Sequence, residues 1–88
     1  MSWTLRVDRA AERVLARLPE SVAAAIVEFV TGPLCEAPER VGRPLQRELT
    51  GLHSARRGAY RVVYQIDHEA RVVRVLRIGH RADVYRAD

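Results

Sequence analysis

The chain has 88 residues, which suits one small domain with a modest core. Its 48% hydrophobic and 30% charged residues are ordinary for a soluble globular protein, and no apolar run reaches the ~18 residues of a membrane span. A lone Cys35 excludes an internal disulfide, and the formal net charge of +4 favours an anionic partner: nucleic acid, an acidic protein or both. All fifteen cationic side chains are arginine, whose planar fork suits phosphate and carboxylate. The N-terminus lacks a signal-peptide apolar region, so a cytoplasmic protein is expected.

Residues 3–7 alternate apolar and polar, predicting a first strand. Asp8 is placed to cap a helix whose stripe is Ala11, Val14, Leu15 and Leu18. Pro19 interrupts that pattern and suits the first residue of a second helix, with Val22, Ile26, Phe29 and Val30 on its apolar side. Gly32-Pro33 reads as a stop, with room for the helix to continue through Leu34. Residues 36–44 read as a loop, and 45–49 as a short strand broken at Thr50-Gly51. A strand carrying His53, Ser54, Ala55, Arg56 and Arg57 ends in a turn at Gly58. Residues 60–66 and 71–78, rich in Val and Ile, are the strongest strands and form a hairpin through 67–70. Residues 79–88 read as a polar tail with Val84-Tyr85 as its apolar pair. The expected class is α+β: an N-terminal strand, a two-helix hairpin, then an antiparallel sheet with helices on one face.

The hairpin allots the side chains to faces. If Asp67 lies opposite Ala70, then Tyr64 faces Val73 and Val62 faces Val75. Strand alternation then puts Val62, Tyr64, Ile66, Val73 and Val75 on one face, beneath the helices. The other face carries Arg61, Val63 and Gln65 opposite Leu76, Arg74 and Val72, and a regular last strand adds His80 to it. A one-residue slip reverses such an assignment.

Metal-ligand spacing is absent among Cys35, His53, His68 and His80, and there is no glycine-rich phosphate loop. What remains is a basic set in the second half: Arg43, Arg47, Arg56, Arg57, Arg61, Arg74, Arg77, Arg81 and Arg86. A solvated surface explains any one of them; as a group they favour anion binding. Such a set can cut RNA by assisting attack of the RNA's own 2′-hydroxyl on the neighbouring phosphate. Arginine stabilises the charge that builds on phosphate oxygens. It transfers protons badly because its pKa exceeds ~12, whereas histidine transfers them well near neutrality.

The segment from Leu49 to Tyr64, Leu-Thr-Gly-Leu-His-Ser-Ala-Arg-Arg-Gly-Ala-Tyr-Arg-Val-Val-Tyr, resembles the core of the RelE/ParE toxin superfamily. The end, Gly79-His80-Arg81-Ala82-Asp83-Val84-Tyr85-Arg86, resembles the tail of RelE-type members, and the Pro44-Leu45 entry matches as well. The resemblance implies a fold like that of small microbial ribonucleases. It implies a type II toxin that cleaves mRNA in the ribosomal A site without a metal or other cofactor. The implied partners are mRNA, the 70S ribosome and a cognate antitoxin in a toxin–antitoxin hetero-oligomer, with no membrane.

Residue by residue, the resemblance makes Arg61 the phosphate-stabilising arginine, Arg81 a second catalytic arginine, and Tyr85 the residue that stacks on a base and orients the attacking hydroxyl. Some members carry two lysines where this chain has Leu52 and Ser54, and another branch has a glutamate base where it has Arg43. His80 is the expected substitute proton carrier. Arg43, Arg47, His53, Arg56, Arg57 and Arg74 are expected to contact RNA or the ribosome. Two alternatives stay open: a ParE-like toxin acting on DNA gyrase without nuclease activity, and a non-catalytic RNA-binding module.

Overall fold

The structure is a computed structural model that describes residues 2–81. Strand β1 is Thr4–Val7; helices α1 (Arg9–Arg17) and α2 (Glu20–Thr31) follow, then two single helical turns, α3 (Pro33–Glu36) and α4 (Pro38–Val41). The rest is β2 (Arg43–Pro44), a 3-10 turn at Arg47–Leu49, β3 (Leu52–Arg57), β4 (Tyr60–Asp67) and β5 (Val72–His80). The expected order is present, with differences in the connection. The loop expected at residues 36–44 holds α4 and β2, and the strand expected at 45–49 is replaced by the 3-10 turn. Arg47 opens that turn with φ 58°, a left-handed conformation incompatible with a continuous strand.

The five strands lie in the order β1-β5-β4-β3-β2. Neighbours among β2 to β5 are antiparallel, while β1 joins β5 in parallel because the helices carry the chain over one face before it returns. Asp8 stands at the start of α1 in extended conformation, but its side chain caps nothing. Its carboxylate lies 3.5 Å from Arg74 instead.

The core sits between helices and sheet. Ala11, Ile26, Phe29, Val30 and Leu34 meet Ala55, Val62, Tyr64, Val73, Val75 and Ile78, all buried. Fully burying one aliphatic or aromatic side chain of this kind contributes ~1.5–3 kcal/mol, so this single layer carries most of the fold's stability. Val14, Leu15 and Leu18 of the α1 side, and Leu5 and Val7 of β1, complete it from the edge.

Tyr64 is fully buried, and its hydroxyl donates to the Pro38 carbonyl at 2.6 Å. Burial raises its pKa to about 12. Gly42 lies against this pair: a Cβ there would collide with the Tyr64 hydroxyl and come within 2.8 Å of the Ser54 carbonyl oxygen. The close approach seats the chain as it enters β2.

Candidate nucleic-acid interface

Register decides which side chains share the open face, the one turned away from the helices. Asp67 pairs with Val72 rather than Ala70, and Tyr64 pairs with Val75. The hairpin connection is thus two residues longer on the β5 side than expected, a shift that preserves the faces. Between Val63 and Tyr64 the register shifts again: Val63 pairs with Arg77, so β5 holds an extra residue, Leu76, in a β-bulge. Beyond the bulge every side chain of β5 changes face relative to a regular strand.

The consequences are specific. Ile78 turns into the core opposite Val62, Gly79 faces Arg61, and His80 pairs with Tyr60. The His80 ring meets the Tyr60 ring edge-on at 5.8 Å, on the side that carries the core. The expectation that His80 shares a face with Arg61 is therefore corrected, and the physical reason is the single inserted residue. Arg77 makes the reverse exchange. A regular strand puts it on the core side; the bulge puts it on the open face, diagonally beside Arg61. Sequence reasoning left it out of the site, because a bulge in a run of Val, Leu and Ile leaves no signal in the periodicity.

The open face draws an arginine from every strand. Arg6 and Arg74 pair across β1 and β5, Arg77 follows on β5, Arg61 sits on β4, Arg56 on β3 and Arg43 on β2. Arg56 and Arg61 are directly opposed. Like charges directly opposed across a sheet destabilise it. At the Arg6–Arg74 pair the Asp8 carboxylate relieves the repulsion. Among the described residues, no ion pair serves Arg43, Arg56 or Arg61. A polar cavity of about 400 Å³ opens there, lined by Val41, Gly42, Arg43, Ser54, Arg56 and Arg61.

The other expected contact residues are dispersed. His53 pairs with Tyr64 and stacks on its ring at 5.5 Å, on the core side, with its Nδ1 buried and, among the described residues, unpartnered. Arg57 pairs with Tyr60 and lies 6.0 Å from the centre of the Phe29 ring, again on the helix side. There it borders a largely apolar cleft of about 440 Å³ between α2 and the β3–β4 turn. Arg74 keeps the open face but stands opposite Gln65, four residues from Arg61 along β4, which is ~13 Å. Arg47 is exposed in the turn after β2. Arg81 is exposed, and its backbone N–H donates to the Ala59 carbonyl at 2.9 Å. That bond carries the hydrogen bonding between the two chains one step past the end of β5 at His80. Tyr85 lies outside the described residues. Among the described residues, no three His, Cys, Asp or Glu side chains converge as metal ligands, and no helix is long and apolar enough to cross a membrane.

Helices on one side of a sheet and arginines from all five strands on the other define a small α+β domain with one basic sheet face. A family model described as the ParE toxin of type II toxin–antitoxin systems matches residues 5–85. Toxin RelG of Mycobacterium tuberculosis is 52% identical over 86 residues, covering 98% of this chain and 99% of that protein. Toxin RelE of the same organism is 54% identical over 84 residues, covering 96% and 87%. A chain in the crystal structure of the toxin–antitoxin complex RelBE2 from Mycobacterium tuberculosis superposes with a TM-score of 0.88 at 49% identity, covering 92% of this chain and all of that one. The protein belongs to the ParE toxin family of the RelE/ParE superfamily, and is a toxin of a type II toxin–antitoxin system.

Proposed function

We propose that this toxin is an endoribonuclease that cleaves messenger RNA in the ribosomal A site, without a metal or other cofactor, and so stops translation. The observation that carries this reading is the Arg56–Arg61 pair: two arginines directly opposed on an open face, with no carboxylate between them among the described residues. Such a pair costs stability in the free protein and gains it when an anion binds.

In this reading the substrate's 2′-hydroxyl attacks the adjacent phosphorus and the bond to the 5′-oxygen breaks. The products are a 2′,3′-cyclic phosphate and a 5′-hydroxyl. Arg61 and Arg81 stabilise the charge on the non-bridging oxygens, where fixed cations act most strongly. Tyr85 stacks on the substrate base and orients the hydroxyl. Arg56 and Arg43 hold the strand, and Arg47 and Arg74 contact RNA or ribosome further out. His80, His53 and Arg57 are turned to the other side of the sheet, and this reading therefore assigns no proton transfer to His80. The 2′-hydroxyl proton passes to water and the 5′-oxygen takes one from water, while the arginines stabilise the charge on the phosphate and the ribosome orients the hydroxyl.

The partner is a cognate antitoxin that covers the basic face in a hetero-oligomer, in the cytoplasm. The similarity to a chain of a toxin–antitoxin complex supports this. The test is primer extension on cellular mRNA after induction without antitoxin, with chemical analysis of the 3′ ends. In-frame cuts ending in a cyclic phosphate or its hydrolysis product are expected. Growth arrest without cuts sinks the nuclease reading and turns attention to gyrase; 3′-hydroxyl ends sink the chemistry.

A further inference from the structure

One cross-strand row of the open face runs Arg43, Ser54, Val63, Arg77, each residue paired with the next across β2, β3, β4 and β5. The neighbouring row runs Arg56, Arg61, Gly79. We propose that a single strand of RNA crosses this face at right angles to the β-strands. Arg43 and Arg77 grip the phosphodiesters on either side of the one held at Arg56 and Arg61. The proposal rests on the reading of RNA as substrate and adds how many linkages are bound, in what direction, and by which residues.

Three observations carry it. First, the width. Arg43 and Arg77 are separated by three inter-strand spacings, roughly 14 Å. One phosphate cannot meet both ends, and three linkages bridge the span only as an unstacked, extended strand at ~7 Å per interval, about twice the ~3.4 Å rise of a stacked one. Second, the floor. Between the two end arginines lie Ser54 and Val63, only 6% and 2% exposed, and Gly79 presents no side chain beside Arg61. With Ser54 and Val63 so little exposed, a ligand on these two rows meets mainly arginine, and the polar cavity at Arg43, Ser54, Arg56 and Arg61 is where it would seat. Third, the boundary. The next row towards β1 holds Leu52, Gln65, Arg74 and Arg6, with the Asp8 carboxylate against Arg74. A carboxylate repels phosphate, so the strand has no reason to run along the β-strands in that direction.

The bulge at Leu76 makes this row possible, since a regular β5 turns Arg77 away. The seat of Gly42 against Tyr64 and Ser54 fixes the other end by holding the chain immediately before Arg43. Both ends of the path therefore depend on local backbone features rather than on flexible surface side chains alone.

The experiment titrates full-length toxin with a four-nucleotide RNA that has three linkages and is 2′-O-methylated to block attack, following amide chemical shifts. Wild type, Arg43→Gln, Arg77→Gln and the helix-side control Arg17→Gln are compared at several salt concentrations, each checked for fold by circular dichroism. Arg43→Gln and Arg77→Gln should each reduce the slope of log affinity against log salt by about 0.7, the amount expected for one phosphate contact on a single strand. The loss should not depend on base sequence, and Arg17→Gln, on the exposed side of α1, should leave the slope unchanged. Replacing one outer linkage by a neutral methylphosphonate should abolish the effect of one variant and leave that of the other; neutralising the opposite outer linkage should do the reverse. Wild-type slopes in both variants, losses indifferent to the neutral linkages, or no binding by wild type would overturn the path. Cleavage of ribosome-bound mRNA is scored separately. Uncut mRNA with the expected slopes refutes the nuclease reading and keeps the path; cut mRNA with unchanged slopes does the opposite.

Discussion

Replacing Arg61 by Gln should make the free toxin more stable while removing its activity. Gln keeps most of the aliphatic stem and removes the charge facing Arg56. The Cβ atoms of a directly opposed pair stand ~4.5–5.5 Å apart. Two guanidinium groups ~6 Å apart repel by about 0.7 kcal/mol at the dielectric constant of water and by about 3 kcal/mol at an effective value of 20. Arg56 is exposed and can swing away, so the gain should lie in the range ~0.2–1 kcal/mol measured for cross-strand pairs. For a domain this size, 1 kcal/mol moves the melting temperature by ~4–8 °C. Thermal unfolding followed by circular dichroism should show a rise of roughly 1–8 °C at low salt. The rise should shrink at 1 M salt, where the screening length falls to ~3 Å. Arg74→Gln, which loses its contact with Asp8, should show no such rise. Cleavage by Arg61→Gln should fall by ~10²–10³, the usual cost of removing one transition-state donor. A lower melting temperature for Arg61→Gln, or a gain untouched by salt, would falsify the view that the pair is held in place for an anion.

Three further outcomes are expected. His80→Gln should cleave within a few-fold of wild type, with no imidazole step between pH 5.5 and 8.5; a loss of ~10²–10⁴ would restore it as an acid or base. Tyr64→Phe should cost ~1–3 kcal/mol in denaturant unfolding, because the Pro38 carbonyl is left buried without its donor. It should also change the alkaline limb. With the Tyr64 pKa raised from 10.0 to about 12, the unfolded chain ionises first as pH rises. Stability present below pH 10 is then lost between 10 and 12, by about 2–3 kcal/mol in all, and the Phe variant should lack that step. Gly42→Ala should destabilise by ~1–3 kcal/mol through overpacking against Tyr64 and Ser54, and equal unfolding midpoints would show that β2 gives way freely.

The helices, the two long strands and the division of the sheet into an apolar and a basic face are legible in the sequence, because they rest on local periodicity. Ile26, Phe29 and Val30 recur at helical spacing, and Val62, Tyr64 and Ile66 at strand spacing; each set follows from burying one side of a regular element. Arg61 was legible for the same reason: it alternates with that apolar set, and its surrounding motif agrees. The short pieces between Glu36 and Leu52 were not, since a single helical turn or a two-residue strand has no period to read. The tertiary structure alone decided which side chains of β5 beyond Val75 face the basic side. Strand alternation propagates parity along the chain, and Leu76 is one residue too many for the pairing with β4. That residue exchanges Arg77 and His80 between the faces, and nothing in the composition of Val72–His80 marks where the partner strand will fail to match it.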